Sequence, residues 1–124
     1  MSRSNEIGKY KTKVFTVDGE FCVQYHQTVV FRGFPNGVIV LDTGGWKTAT
    51  TKLRMNQAFN QLGLRFGVYQ EKGQWWVSVK NEEYVPIHDC KFEGDACVLT
   101  PNGGFSSGSS NMILERARNW KAVS

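Results

Sequence analysis

Residues 43–57, TGGWKTATTKLRMNQ, hold the side chains of this chain best suited to gripping a phosphate-bearing, base-containing ligand. Gly44 and Gly45 precede a helix start and expose backbone amides at the end of the helix that favours an anion. Thr48, Thr50 and Thr51 add hydroxyls, and Lys47, Lys52 and Arg54 add charge. Trp46 offers a flat face on which a base could stack. Asn56 and Gln57 carry the paired donor and acceptor atoms that can read a base edge. The bland reading is a strand–turn–helix junction with a threonine cap, Trp46 plugging the core and the polar helix residues facing water.

Charge patterning supports the ligand reading. No acidic residue lies between Asp42 and Glu71, whereas Lys47, Lys52, Arg54 and Arg65 do. The other 11 basic residues balance 11 acidic ones, so the net charge of +4 is local to this window. One compact cluster suits a small ligand with a few phosphates, whereas a polymer binder spreads its basic footprint along a groove. A single-stranded nucleic-acid binder with aromatic strands and a basic helix remains the competing reading. Arg116 and Arg118 in a terminal helix are further candidate cations. Phe105, alone in the Gly- and Ser-rich run 101–111, is either part of a flexible linker or the aromatic of a lid.

Catalytic constellations are weak. The spacing GxxxxGK[ST] of a phosphate-binding loop is absent, which excludes that ATPase class. His88, Cys90 and Cys97 lack a fourth zinc ligand, and the zinc-deaminase pattern is missing. Glu82 and Glu83 are adjacent and diverge in a strand, so they are no hydrolase pair. His26 reads as a structural histidine within an apolar strand. Neither an enzyme nor a cofactor is expected.

These residues need a scaffold. With 124 residues, 40% apolar, the chain forms one domain with one core. Residues 1–12 read as a flexible start without a secretory signal, and 13–124 as a single domain. Three cysteines without a dense spacing suit free thiols in a reducing cytosol. No run is apolar enough to span a membrane. Strand-like runs cover VFTV and EFCVQYHQTVVFR, joined by Asp18-Gly19. A type I′ turn at Asn36-Gly37 leads into VIVL, which should be covered on both faces. A helix follows, capped by one of the threonines. Met55, Ala58, Phe59 and Leu62 form its buried stripe, Arg54, Gln57 and Gln61 a polar row, and Gly63 ends it. A hairpin turning at Lys72-Gly73 puts Trp75 and Trp76 on opposite faces. Pro86 marks an edge strand or a strand start. The fold class is α+β: mostly antiparallel β-sheet, one central α-helix and a short C-terminal helix.

The segments HQTVV (26–30), LDTGGWKTATTKLRMNQAFNQLGL (41–64) and VYQEKGQWWV (68–77) resemble a family of small bacteriophage proteins with a GGWxTxTTKxRMNQ core motif. A further similarity is to phage anti-Thoeris sponges. It implies a non-enzymatic, oligomeric trap in the host cytoplasm that sequesters a cyclic-ADP-ribose-type signal. On the physical reading, the ligand would be held by Gly44, Gly45, Trp46, Lys47, Thr48, Thr51, Lys52, Arg54 and Asn56, with Phe105, Arg116 and Arg118 as outer candidates. A phage protein whose Trp-rich surface binds a host factor is the third possibility.

Overall fold

The computed structural model describes residues 7–121, and its order is β1 (Thr12–Val17), β2 (Glu20–Tyr25), β3 (Thr28–Gly33), β4 (Ile39–Asp42), α1 (Ala49–Gln61), β5 (Phe66–Glu71), β6 (Gln74–Lys80), β7 (Pro86–Phe92), β8 (Ala96–Leu99), β9 (Phe105–Gly108) and α2 (Ser110–Asn119). The strands form a six-stranded sheet in the order β1-β2-β3-β4-β8-β9 and a three-stranded sheet β5-β6-β7. All their pairings are antiparallel. This is the α+β class expected, with α1 central and α2 short and C-terminal.

Three layers follow from the alternation of apolar residues. Ile39 and Leu41 of β4 point into a core shared with Met55, Ala58 and Phe59 of α1 and with Val68, Trp75, Val77 and Phe92 of the second sheet. Val38 and Val40 point the other way, against Ile113 and Ala117 of α2. The VIVL run is therefore covered on both faces, as its unbroken apolar character predicts. Phe59 links the layers, edge-on to Phe31 at 5.3 Å and tilted against Phe66 at 5.5 Å. Its burial contributes about 1.5–3 kcal/mol.

Several elements differ from the sequence reading. The strand expected from Glu20 to Arg32 breaks at Tyr25, because His26 adopts φ 57° and reverses the chain. His26 is thus a turn residue, and histidine is among the side chains that tolerate this backbone. The turn at Phe34–Gly37 is not type I′. Gly37 donates its N–H to the Phe34 carbonyl, which makes Pro35 the first central residue and fixes its φ negative. Residues 101–111 are not a flexible loop throughout: β9 pairs along its length with β8, and α2 begins at Ser110.

The helix α1 starts at Thr48, whose hydroxyl accepts the Thr51 amide. It ends where Gly63 takes φ 66°. Leu62, expected in the buried stripe, is the C-cap and is 41% exposed. Conversely Arg54 and Gln57, expected to face water, are buried. The residues before β1 cover them. Ile7 is in the core and the Gly8 amide donates to Gln57 Oε1 at 3.0 Å. Within the start of the chain expected to be flexible, Ile7, Gly8 and Thr12 make these contacts while Lys9, Tyr10 and Lys11 are exposed, and residues 1–6 lie outside the described residues.

Candidate functional site

A cleft of about 440 Å³ opens where the β2–β3 turn meets the head of α1. The turn contributes Tyr25, His26, Gln27 and Thr28. Val30, Thr43, Trp46, Thr48 and Thr51 close the other sides. Trp46 stands on the rim and is 72% exposed, far from the core plug that a junction tryptophan could have been.

Local chemistry holds these walls in place. The His26 amide donates to the Lys11 carbonyl at 2.8 Å, and the His26 carbonyl accepts from Gln24 Nε2 at 2.9 Å. Tyr25 and His26 rings meet edge-to-face at 4.4 Å. Gly44, at φ 62°, runs directly against Thr28, so any side chain there would collide with the Thr28 side chain. That close approach draws the β2–β3 turn up to the junction. Thr43 anchors the other end, its hydroxyl donating to the Asp95 carbonyl at 3.0 Å.

The Gly-Gly turn does not offer free amides. Gly44 N–H donates to Asp42 Oδ1 at 2.8 Å, Gly45 N–H to Thr43 Oγ1 at 3.2 Å and Trp46 N–H to the Thr43 carbonyl at 2.9 Å. The glycines are needed for the backbone path, not as an anion cradle. Thr48 and Thr51 hydroxyls share a bond of 3.0 Å on the cleft wall.

The cations disperse. Arg54 is only 5% exposed. Its Nε donates to Thr12 Oγ1 at 2.9 Å, its Nη1 to Gln57 Oε1 at 3.1 Å, and its guanidinium carbon lies 5.8 Å from the Tyr25 ring centroid. It braces the back of the Tyr25 wall and cannot hold a phosphate. Lys47 and Lys52 extend towards the second sheet, their ammonium groups each 5.5 Å from a ring, Phe92 and Trp75 respectively. Lys52 also donates to Gln70 Oε1 at 3.3 Å. Asn56 is committed to the β5 backbone, donating to the Val68 carbonyl at 2.9 Å and accepting its amide at 2.7 Å. This clamps α1 onto an edge strand.

The outer candidates are not brought to the cleft. Phe105 sits in β9 opposite Leu99 and packs against the main core, so it is no lid. Arg116 and Arg118 belong to α2, on the far face of the large sheet from α1. Arg116 lines a separate depression with Glu115 and Trp120.

Of the twelve residues named from sequence, Trp46, Thr48 and Thr51 line the cleft. Tyr25, His26, Gln27, Thr28, Val30 and Thr43, which also line it, were not among them. The signal that could have found the turn is HQTVV, a run of three polar residues inside an otherwise apolar strand pattern. Burial pushes the Cys22, Cys90 and Cys97 thiols up, with Asp89 adding to the effect at Cys90, so none is an activated nucleophile. Among the described residues no group of three or more His, Cys, Asp or Glu could hold a metal ion. No helix there is long and apolar enough to cross a membrane. The arrangement can clasp a planar ring between an aromatic rim and hydroxyl and amide groups.

The molecule is thus an antiparallel α+β protein with an aromatic, polar-rimmed cleft at a strand–helix junction. The profile of the Kyanoviridae Gp96 protein family matches residues 1–98, a span that includes every residue of that cleft. The chain belongs to this bacteriophage family. No curated protein and no solved structure matches it.

Proposed function

We propose that this phage protein is a non-enzymatic binder that seats the base of a nucleotide-type signalling molecule against Trp46 and so removes it from host defence signalling. The observation that carries this reading is the exposed Trp46 indole on the rim of a preformed cleft with hydroxyl and amide groups opposite. Stacking of a base on an aromatic side chain contributes about 1–3 kcal/mol. The cleft volume of about 440 Å³ is within the range of small-ligand sites. Gln27, Thr43, Thr48 and Thr51 supply the polar contacts that choose the base, and the phosphates project outward into solvent. Arg54 has no part in binding.

Isothermal titration of the intact protein with cyclic ADP-ribose, ADP-ribose, AMP and GMP tests the proposal. Saturable heat from at least one of them, lost in Trp46→Ala, supports it. No heat from any, or equal binding by the variant, refutes it.

One observation favours a nucleic-acid strand instead. A second depression, reaching Arg32, Val40 and Asp42 on the α2 side of the large sheet, borders the cleft at Gln27 and Thr28, where a strand could pass over the β2–β3 turn. Binding of a single strand would weaken steeply with salt, following the number of phosphates contacted. Arg32 is already paired with Glu20 at 2.8 Å, which favours the small ligand.

A further inference from the structure

Among the described residues the two sheets have four edge strands, and three of these are blunted. β9 is only four residues long. β5 is capped at Val68 by the Asn56 amide. β7 starts at Pro86 and exposes His88, Asp89 and Lys91. Short length, proline and charge are devices that keep an open edge from pairing with another chain. β1 is different. It runs for six residues, TKVFTV, in unbroken register with β2 and without proline. Val14, Phe15 and Val17 are exposed, and Lys13 is its one charge.

The hairpin geometry fixes which backbone groups of β1 stand free. Asp18 and Gly19 take φ 52° and 78°, a two-residue turn that makes Val17 and Glu20 a hydrogen-bonded pair. Bonding alternates along an antiparallel pair, so Phe15 and Lys13 also bond to β2, whereas Thr12, Val14 and Thr16 turn their N–H and C=O outward. Two bonds fit this alternation: the Thr12 amide donates to the Lys9 carbonyl at 3.1 Å, and the Lys11 carbonyl accepts the His26 amide at 2.8 Å. Among the described residues β1 has β2 as its one strand neighbour, and no other hydrogen bond reaches the outward groups of Val14 and Thr16.

Charge order favours a second copy of the same strand as the occupant. Lys11 and Lys13 lie at the start of β1 and Asp18 follows its end. An antiparallel copy runs the opposite way, so each basic end meets the other's acidic end. Pairing centred on Phe15 sets that residue against Phe15 of the second copy and Val14 against Thr16 of the second copy. Thr12, between Lys11 and Lys13, then falls opposite Asp18 of the second copy. The outward amides and carbonyls of Val14 and Thr16 are all satisfied. Centring on Val14 instead would call on the Thr12 amide, which is already bonded.

We propose that β1 is a dimerisation edge, where two copies join by antiparallel β1–β1 pairing about a two-fold axis at Phe15 and merge their six-stranded sheets into one. A contact of this self-complementary kind closes after two copies. It is independent of what the Trp46 cleft binds.

Sedimentation velocity of the intact protein from about 1 to 100 µM, the range that reads micromolar association, tests the proposal. The expected result is a species of twice the 14.0 kDa chain mass that grows with concentration. Phe15→Lys sets two like charges opposite each other across the axis. It should leave monomer alone, with the thermal midpoint little changed because the side chain is exposed. Phe15→Cys should oxidise to a covalent dimer, since a non-hydrogen-bonded pair holds its Cα atoms about 4.5 Å apart, within disulfide reach. Val17 is also exposed, but its two copies would stand about 13 Å apart along the strands, so Val17→Cys should resist cross-linking. The proposal is overturned if the unchanged protein stays monomeric throughout the range, as it would if β1 served a segment of a host protein instead. It is equally overturned if folded Phe15→Lys still dimerises, or if Val17→Cys cross-links as readily as Phe15→Cys.

Discussion

Arg54 and Gln57, one turn apart on α1, are joined by a buried 3.1 Å bond from guanidinium to amide oxygen, and the same oxygen accepts the Gly8 amide at 3.0 Å. A pair that looks like a solvent-facing polar row is therefore the latch that holds the start of the chain over the helix. Arg54→Ala should destabilise the protein by about 2–3 kcal/mol, since it breaks charge-assisted bonds to Thr12 and Gln57 and uncovers Tyr25. Urea unfolding checks this. Ligand binding per folded molecule should be little changed, because Arg54 is behind the cleft wall. A large affinity loss with unchanged stability would contradict the assignment.

Asn56 replaces a neighbouring strand for β5. Both polar groups of its amide are matched to the Val68 backbone, so the outer edge of the small sheet is capped at Val68 by a side chain. Asn56→Ala leaves that N–H and C=O without partners and should cost about 1–3 kcal/mol. Hydrogen exchange provides the specific readout. The Val68 amide should lose protection more than the Val77 amide in the centre of the sheet.

Gly44 and Gly45 both have positive φ but differ in surroundings. Gly45 has open space where a side chain would project, while Gly44 abuts Thr28. Gly45→Ala should cost about 1–2 kcal/mol, the ordinary penalty of a left-handed backbone. Gly44→Ala should cost more and should push the β2–β3 turn away from Trp46. Adding Thr28→Ala should recover part of the loss at Gly44 and none at Gly45. Denaturation midpoints of the two double variants decide it.

The contrast between the glycines shows how far the sequence was legible. Periodicity located α1, its Thr48 cap and its Gly63 end, and the unbroken VIVL run announced a strand covered on both faces. Trp46 stood out by its place beside the turn as either a core plug or an exposed aromatic, and the structure puts it on the cleft rim. What stayed hidden depended on segments distant in the chain. Nothing local to Arg54 or Gln57 says that Gly8 crosses over them. Nothing in TGGW says that its amides are satisfied by Asp42 and Thr43. The β2–β3 turn has no glycine, proline or asparagine, so Tyr25 to Thr28 read as strand and most of one cleft wall was missed. Composition alone also made 101–111 a loop, although Phe105 to Gly108 complete the sheet beside β8.

Cys97 gives a pH prediction. Its thiol is buried in the core and is held protonated well above the ordinary value of 9.0. In the unfolded chain it ionises near 9.0, so above that pH the unfolded state binds fewer protons than the folded one. Stability from this group is therefore full below pH 9 and falls as pH rises beyond it. Cys22 and Cys90 are shifted in the same direction and add to the slope. Unfolding free energies measured from pH 8 to pH 10, both about one unit from the thiol's ordinary value, should decline, and Cys97→Ala should flatten the decline.

Trp46 decides the central claim most directly. The intact protein and its Trp46→Ala variant, each recovered from phage-infected host cells, can be denatured and the released small molecules identified by mass spectrometry. Because the indole is 72% exposed, the variant should fold normally. A nucleotide-type molecule released in proportion to the unchanged protein, and lost or strongly depleted with the variant, is the predicted result. Equal recovery from both proteins, or no such molecule from either, would contradict a base-binding cleft.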